Sequence, residues 1–216
     1  MTSALIFDLD GTLVESAPQI MGVANEILAG EGASPLSLEE TISFIGHGAR
    51  VFVARMIGAR GLPEDAVDRL YDDFADRAER NAEGADLFPG VDSALQALAE
   101  MGHPLGICTN KPEAPARAML EHLGIGGLFR TVVGGDTLPV LKPDPAPLRA
   151  AIAATGAPLL YIGDSEVDFA TARAAGVPFA LFTRGYRRGG LDDFPGAFSF
   201  DDWSAFPELV AGLSGS

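Results

Sequence analysis

The chain has 216 residues, 47% hydrophobic and 21% charged, enough to bury a core in one large domain or two small ones. Acids outnumber bases 30 to 15, and the formal net charge of -15 sets the surface against nucleic acid and anionic membranes. A single cysteine, Cys108, excludes an intrachain disulfide, and no apolar run approaches membrane-spanning length. With a first strand beginning almost at once and no leader pattern ahead of it, the expectation is a cytoplasmic protein.

The opening stretch "ALIFDLDGTLVES" (residues 4–16) reads as a buried strand that ends in two aspartates one residue apart, Asp8 and Asp10, followed by Gly11 and Thr12. Residues 15–86 then show no strand signal. "IMGVANEIL" and "GARVFVARMIG" read as helices, and within residues 63–84 the apolar Val67, Leu70, Tyr71, Phe74 and Ala78 fall at helical spacing. Turn residues bound this block, Ser16 to Pro18 on one side and Asp86 to Gly90 on the other. It carries 14 acids and 6 bases, against 16 and 9 in the remainder, so the acidity is spread along both and reads as solvated helix faces.

From about residue 87, strand and helix alternate. Apolar runs at 104–110, 130–136, 158–165 and 177–183 are separated by helical stretches Val91–Met101, Pro112–Leu123, Ala146–Thr155 and Val167–Ala175. Gly102, Gly124, Gly156 and Gly176 close them. The last segment offers a short edge strand, a helix and a mobile tail. Such alternation predicts an α/β fold, a doubly wound parallel sheet of Rossmann-like type with helices on both faces. Residues 1–14 and 87–216 form its core, and residues 15–86 are a helical insertion.

In open parallel sheets, ligands bind beyond the carboxyl ends of the strands. Reading those ends in order gives Asp8 and Asp10, then Thr109, Asn110 and Lys111, then Lys142 in "LKPDP", then Asp164 and Asp168 in "GDSEVD". Carboxylates, a hydroxyl, an amide and an ammonium on one rim suit a divalent metal and a phosphoryl group. Mg2+ takes oxygen ligands, one or two of them carboxylates, which Asp8 and Asp164 can supply. A free aspartate has a pKa of about 3.9, so Asp8 is expected to be ionised and nucleophilic without a base. Mg2+ and Lys142 neutralise the phosphate, and Asp10 can give a proton to the leaving oxygen and take one from water. Gly11 allows a sharp turn and brings its amide near the phosphate, while Thr109 and Asn110 offer neutral donors. Each has a plainer reading as well: a strand-end turn for Asp8, Asp164, Thr109 and Asn110, an exposed loop residue for Lys142, and a first-turn helix acid for Asp168. Cys108 reads as inert core.

These four stretches, "DLDGTL", Thr109-Asn110, Lys142 before Pro143, and "GDSEVD", resemble in order the motifs of the haloacid dehalogenase superfamily. The resemblance implies that Asp8 is the phosphorylated nucleophile, Asp10 the acid/base, and Thr109 and Lys142 the phosphate holders. It implies Mg2+ held by Asp8, Asp164 and the main-chain carbonyl of Asp10, with Asp168 in support, and a helical cap of the first type over residues 15–86.

Within the insertion, "SFIGHGARVF" (43–52) places Gly46, His47, Gly48 and Arg50 where backbone and side chains can meet a substrate. Arg50 either clamps a carboxylate or faces water, and His47 either joins it or is an ordinary loop histidine. "FIGHGA" is similar to the cap signature of phosphoglycolate phosphatases, which implies a small anionic phosphorylated substrate, 2-phosphoglycolate. A phosphonate-cleaving relative would want a cap lysine, and residues 15–86 have none. The dehalogenases of the superfamily lack the second aspartate, present here as Asp10. A phosphosugar mutase or broad sugar phosphatase keeps both aspartates and stays open, as does a non-catalytic binding or regulatory protein on this scaffold. A monomer and a dimer are both consistent with the sequence.

Overall fold

The computed structural model describes residues 2–80 and 84–214. Strand β1 (Ala4–Phe7) is buried along its whole length, with Leu5 and Phe7 packed on one side of the sheet and Ala4 and Ile6 on the other. That period-two division is what a strand covered on both faces requires. A two-residue strand β2 (Val14–Glu15) then leads into four helices, α1 (Ala17–Gly30), α2 (Leu38–Phe44), α3 (Ala49–Arg60) and α4 (Val67–Arg80). The chain returns through β3 (Asp86–Leu87), antiparallel to β2, so entry to and exit from the helices run side by side as one short ribbon. The strandless reading of 15–86 missed this pair, whose two residues per strand are too few to carry an alternating pattern.

The four helices have an apolar cluster of their own, in which Val23, Ile27, Phe52, Met56, Leu70 and Phe74 are buried. Helix α2 was not anticipated, although its start carries a recognisable signal. Ser37 accepts from the Glu40 N–H at 3.1 Å and the Glu40 carboxylate accepts from the Ser37 N–H at 2.8 Å, a reciprocal capping box. The helix expected over residues 63–84 is a short 3-10 turn, Glu64–Ala66, followed by α4; residues 81–83 lie outside the described ones.

The remaining chain alternates as expected: α5 (Val91–Glu100), β4 (Leu105–Cys108), α6 (Glu113–His122), β5 (Phe129–Val133), α7 (Ala146–Thr155), β6 (Pro158–Gly163), α8 (Glu166–Ala175), β7 (Phe179–Phe182), β8 (Phe198–Phe200) and α9 (Phe206–Ser214). Residues 215–216, part of the expected mobile tail, lie outside the described residues. The six long strands form one parallel sheet in the order β5-β4-β1-β6-β7-β8. One face packs against α5, α6 and α9, with Trp203 and Phe206 fully buried, and the other against α7 and α8. The chain moves outward from β1 to β5, then jumps back to β6 on the far side of β1. The ends of β4, β1 and β6 therefore meet at the switch point, where an open α/β sheet leaves a crevice.

Candidate active site

Beyond β1 the chain runs through Asp8, Leu9 and Asp10 into a tight turn. Gly11 takes φ +82°, and its N–H donates to Val14 O at 2.8 Å. The expectation that this amide meets a phosphate is corrected here, because its hydrogen is spent inside the turn. What glycine provides at position 11 is room: a Cβ there would lie 2.5 Å from Asp164 Oδ2 and 2.7 Å from the Tyr186 ring. Asp164, from the end of β6, is thereby drawn close to the β1 turn. Thr12 Oγ1 donates to its Oδ1 at 2.8 Å and the Tyr186 N–H to its Oδ2 at 2.6 Å.

Asp8, Asp164 and Asp168 are all buried and offer carboxylate oxygens within 4.8 Å of one another. Asp168 sits in the first turn of α8, where it completes a capping box with Ser165 and also meets Lys142. The Lys142 ammonium is 2.6 Å from Asp168 Oδ1, 2.9 Å from Asp8 Oδ1 and 2.9 Å from the Tyr161 hydroxyl oxygen, with the lysine side chain 2% exposed. One cation thus serves two carboxylates, and among the described residues Asp164 has none. Burial, and then the Asp168 charge, push the Asp8 carboxyl up to about 7 despite Lys142. Burial, then Asp168 and Asp8, push Asp164 well above the usual carboxylate range. Burial works against the Lys142 ammonium, yet Asp168 and Asp8 outweigh it and hold its pKa above the ordinary lysine value.

Three buried acids and one ammonium leave the cluster short of positive charge. Although Lys142 stands close to Asp8 Oδ1, that oxygen is buried and makes no aligned hydrogen bond. An all-oxygen donor set, a lone pair without a donor and acids strained toward protonation fit a hard divalent cation. Asp10 is not a member of this group, and its carboxylate pairs with Lys111 Nζ at 3.1 Å.

The apolar helices roof this rim. One cavity of about 60 Å3 runs from Asp8, Asp10, Thr109 and Lys142 up to Ile20, Phe52, Phe74 and Ala78. A more open cleft of about 410 Å3 passes from the same two aspartates past Asp164 and Ser165 to His47, Tyr186 and Arg188.

Residues 5–182 match the family model of the haloacid dehalogenase-like hydrolases. The chain belongs to this family. Among similar proteins are a phosphoglycolate phosphatase of Rhodobacter capsulatus, 47% identical over the whole of both chains, and one of Rhodospirillum rubrum, 45% identical over 96% of this chain and 93% of the other. The fold is similar to the crystal structure of a predicted phosphoglycolate phosphatase from Haemophilus somnus, with TM-score 0.90 and 30% identity over 96% of this chain and 97% of that one.

In this haloacid dehalogenase-like chain, Asp8, Asp10, Thr109, Lys142, Gly46 and Gly48 all line the cavity. Asn110 lines it too, but its side chain is fully engaged. Its amide nitrogen donates to Gly46 O and Lys142 O, each at 3.0 Å, and its Oδ1 accepts from the Lys142 N–H at 2.9 Å. With both amide hydrogens on carbonyls, this side chain positions Lys142 instead of serving as a free phosphate donor. Arg50 lies outside the cavity altogether. It points outward from α3, pairs with Asp68 and lies 5.7 Å from the Tyr71 ring centre, with 60% of its side chain exposed. The glycines at 46 and 48 let the chain dip into the cleft before α3 begins, and Arg50, two residues into the helix, then emerges on its far side. His47 lines the open cleft; burial, then Arg55 and Arg188, lower its pKa.

Sequence reasoning gave no role to Lys111, Thr12, Tyr161, Tyr186 or Arg188. Lys111 had a signal, since it is one of only two lysines in the chain and follows a strand end. Tyr161 had none, because its position mid-strand reads as core.

Proposed function

We propose that this phosphoric monoester hydrolase cleaves 2-phosphoglycolate to glycolate and phosphate, through an aspartyl-phosphate on Asp8 and with Mg2+, in the cytoplasm. The observation that carries the reading is the pairing of Asp8 with Lys142 at 2.9 Å at the sheet's switch point, facing Asp164 under an apolar roof. The phosphoglycolate phosphatases at 44–47% identity support the choice of substrate. Residues 15–86 then act as a cap domain, hinged on the β2–β3 ribbon, over a core of residues 1–14 and 87–216.

Asp8, Asp164 and the main-chain carbonyl of Asp10 would hold Mg2+, with Asp168 in support; the ion supplies the positive charge that lets one anion approach another. Lys142 keeps Asp8 in its carboxylate form and, with the Thr109 hydroxyl, draws the phosphoryl oxygens to the rim. The Asp8 carboxylate attacks phosphorus as the bond to the glycolate oxygen breaks, and Asp10, which enters this step as the carboxylic acid, delivers its proton to that oxygen. Asp10, now a carboxylate, takes a proton from water; the resulting oxygen attacks phosphorus and frees Asp8. Lys111 fixes the direction in which Asp10 works. Ile20, Ile45, Phe52 and Phe74 limit stray water during the first half.

Purified protein with Mg2+ is expected to release phosphate steadily from 2-phosphoglycolate without any bisphosphate primer, and EDTA to stop it. A requirement for such a primer would mark a mutase instead. Asp8→Asn should be folded by circular dichroism yet inactive; an active Asp8→Asn enzyme would remove Asp8 as nucleophile.

A further inference from the structure

Six arginines of this chain, at 50, 60, 69, 77, 80 and 117, are tied to carboxylates. With acids in twofold excess, that is the expected fate of a guanidinium. Arg55 and Arg188 are two of the seven other arginines, which form no ion pair among the described residues. Both guanidiniums donate to one and the same carbonyl oxygen, that of Ser43, with Arg55 Nη1 at 3.4 Å. Arg55 also reaches Phe44 O at 3.2 Å. Two cations crowded on a single neutral acceptor repel each other, an arrangement that a shared anion would relieve. After burial, Arg188 disfavours the charge of Arg55, and both arginines disfavour that of His47. Glu166 is the nearby acid, but its Oε1 accepts the N–H groups of Arg188 and Gly189, at 2.9 and 2.7 Å, and so holds the loop rather than the guanidinium.

The location gives this pair a function. Arg188 and His47 line the open cleft whose other end is formed by Asp8, Asp10 and Asp164. We propose that Arg188, backed by Arg55 and His47, is a second anion subsite, which takes the carboxylate of the phosphorylated acid while the strand ends take its phosphoryl group. The inference rests on the phosphatase reading above and deepens it. It moves recognition of the carboxylate from Arg50, which faces Asp68, to a residue on the loop after β7. Arg188 belongs to the sheet domain, whereas Ser43 and Arg55 belong to the helical insertion. The subsite is therefore complete only while the helices are seated on the sheet, and a substrate carboxylate held there favours the seated state by contacting both parts.

The test compares two esters, 2-phosphoglycolate and the carboxylate-free aryl ester p-nitrophenyl phosphate, in wild type, Arg188→Gln, Arg188→Lys and Arg55→Gln. Arg188→Gln is expected to lower the ratio of kcat/KM for phosphoglycolate to that for the aryl ester by about tenfold, mainly through KM, with Arg188→Lys recovering part of it. Arg55→Gln should lower the ratio less. An unchanged ratio in Arg188→Gln would overturn the subsite. A second readout separates this failure from failure of the substrate reading: inhibition of aryl ester hydrolysis by phosphonoacetate and by methylphosphonate, which differ by a carboxylate. If phosphonoacetate is the stronger inhibitor of wild type and loses that advantage in Arg188→Gln, the subsite stands even should phosphoglycolate prove a poor substrate. If wild type inhibits equally with both, the subsite falls while the phosphatase remains.

Discussion

Replacing Lys142 by methionine isolates the electrostatics of the site, because methionine nearly fills the lysine stem and leaves little cavity. What vanishes is one ammonium held at 2.6 Å from Asp168 and 2.9 Å from Asp8, with the lysine side chain 2% exposed. Two buried carboxylates then face each other without a counter-charge, and removal of one partner from such a pair costs about 3–5 kcal/mol. Against a typical total stability of about 5–15 kcal/mol, that is a large fraction. The sign of the pH dependence follows from Asp8. Its pKa is already raised to about 7 with the ammonium present, and loss of the ammonium raises it further. A carboxyl with a raised folded-state pKa binds more protons folded than unfolded. Its stability is intact below the unfolded value of about 4 and is lost as pH rises through the folded value. The deficit of Lys142→Met should therefore widen from about pH 5 to about pH 8. Urea unfolding of both proteins in EDTA at these two pH values measures it. A deficit under about 1 kcal/mol at the higher pH, or one that narrows as pH rises, would refute the claim that this lysine neutralises two buried acids.

The same linkage predicts that Mg2+ raises the melting temperature of the wild type more near pH 7.5 than near pH 5, since protons on the raised Asp8 and Asp164 compete with the ion; calorimetry that finds a pH-independent gain would contradict this. Asn110→Ala removes three hydrogen bonds of 2.9–3.0 Å and strands buried groups of Lys142, so a loss of about 2–4 kcal/mol is expected, with a fall in kcat as Lys142 loosens. Ser37→Ala breaks the α2 capping box and should cost about 1 kcal/mol in urea unfolding without altering kcat. Arg50→Ala should leave KM for 2-phosphoglycolate within about twofold, as its partner is the exposed Asp68; a larger rise would return Arg50 to the site.

Legibility of the chain followed the strength of local patterning. The parallel core was readable because "ALIF", "LGIC" and "FALF" are continuous apolar runs between helices closed by glycine, such as Gly176 at φ +74°. Lys142 was readable because the chain has only two lysines and this one stands in "LKPDP", although it lies in the loop between β5 and α7 and not at the strand end itself. Contacts between distant segments were not. Nothing around Asn110 announces that its amide will be consumed by Gly46, 64 residues earlier, and by Lys142, 32 residues later. Arg50 stayed open between the two readings for a related reason. Its neighbours enter the cleft, but the direction of a helical side chain depends on the angle at which α3 leaves Gly48, a tertiary quantity. The rule of strand ends, applied to β7, would have pointed to "TRGYRRGG" and so to Arg188.

Charge distribution explains how a chain of net charge -15 can present a site to an anion. Lysine is usually solvated, and a buried one requires a partner. Both lysines of this chain are buried, at 9% and 3% exposure for Lys111 and Lys142, and each is paired with one member of the opening aspartate pair, Asp10 and Asp8 respectively. The two acids thus start from unlike positions. Asp10 keeps a private cation at a partly open edge, whereas Asp8 shares its cation with Asp168 in a deeper pocket and is pushed toward protonation. Exchanging one ammonium for the other would not preserve this asymmetry, since Lys111 is held by the backbone after β4 and Lys142 by Asn110.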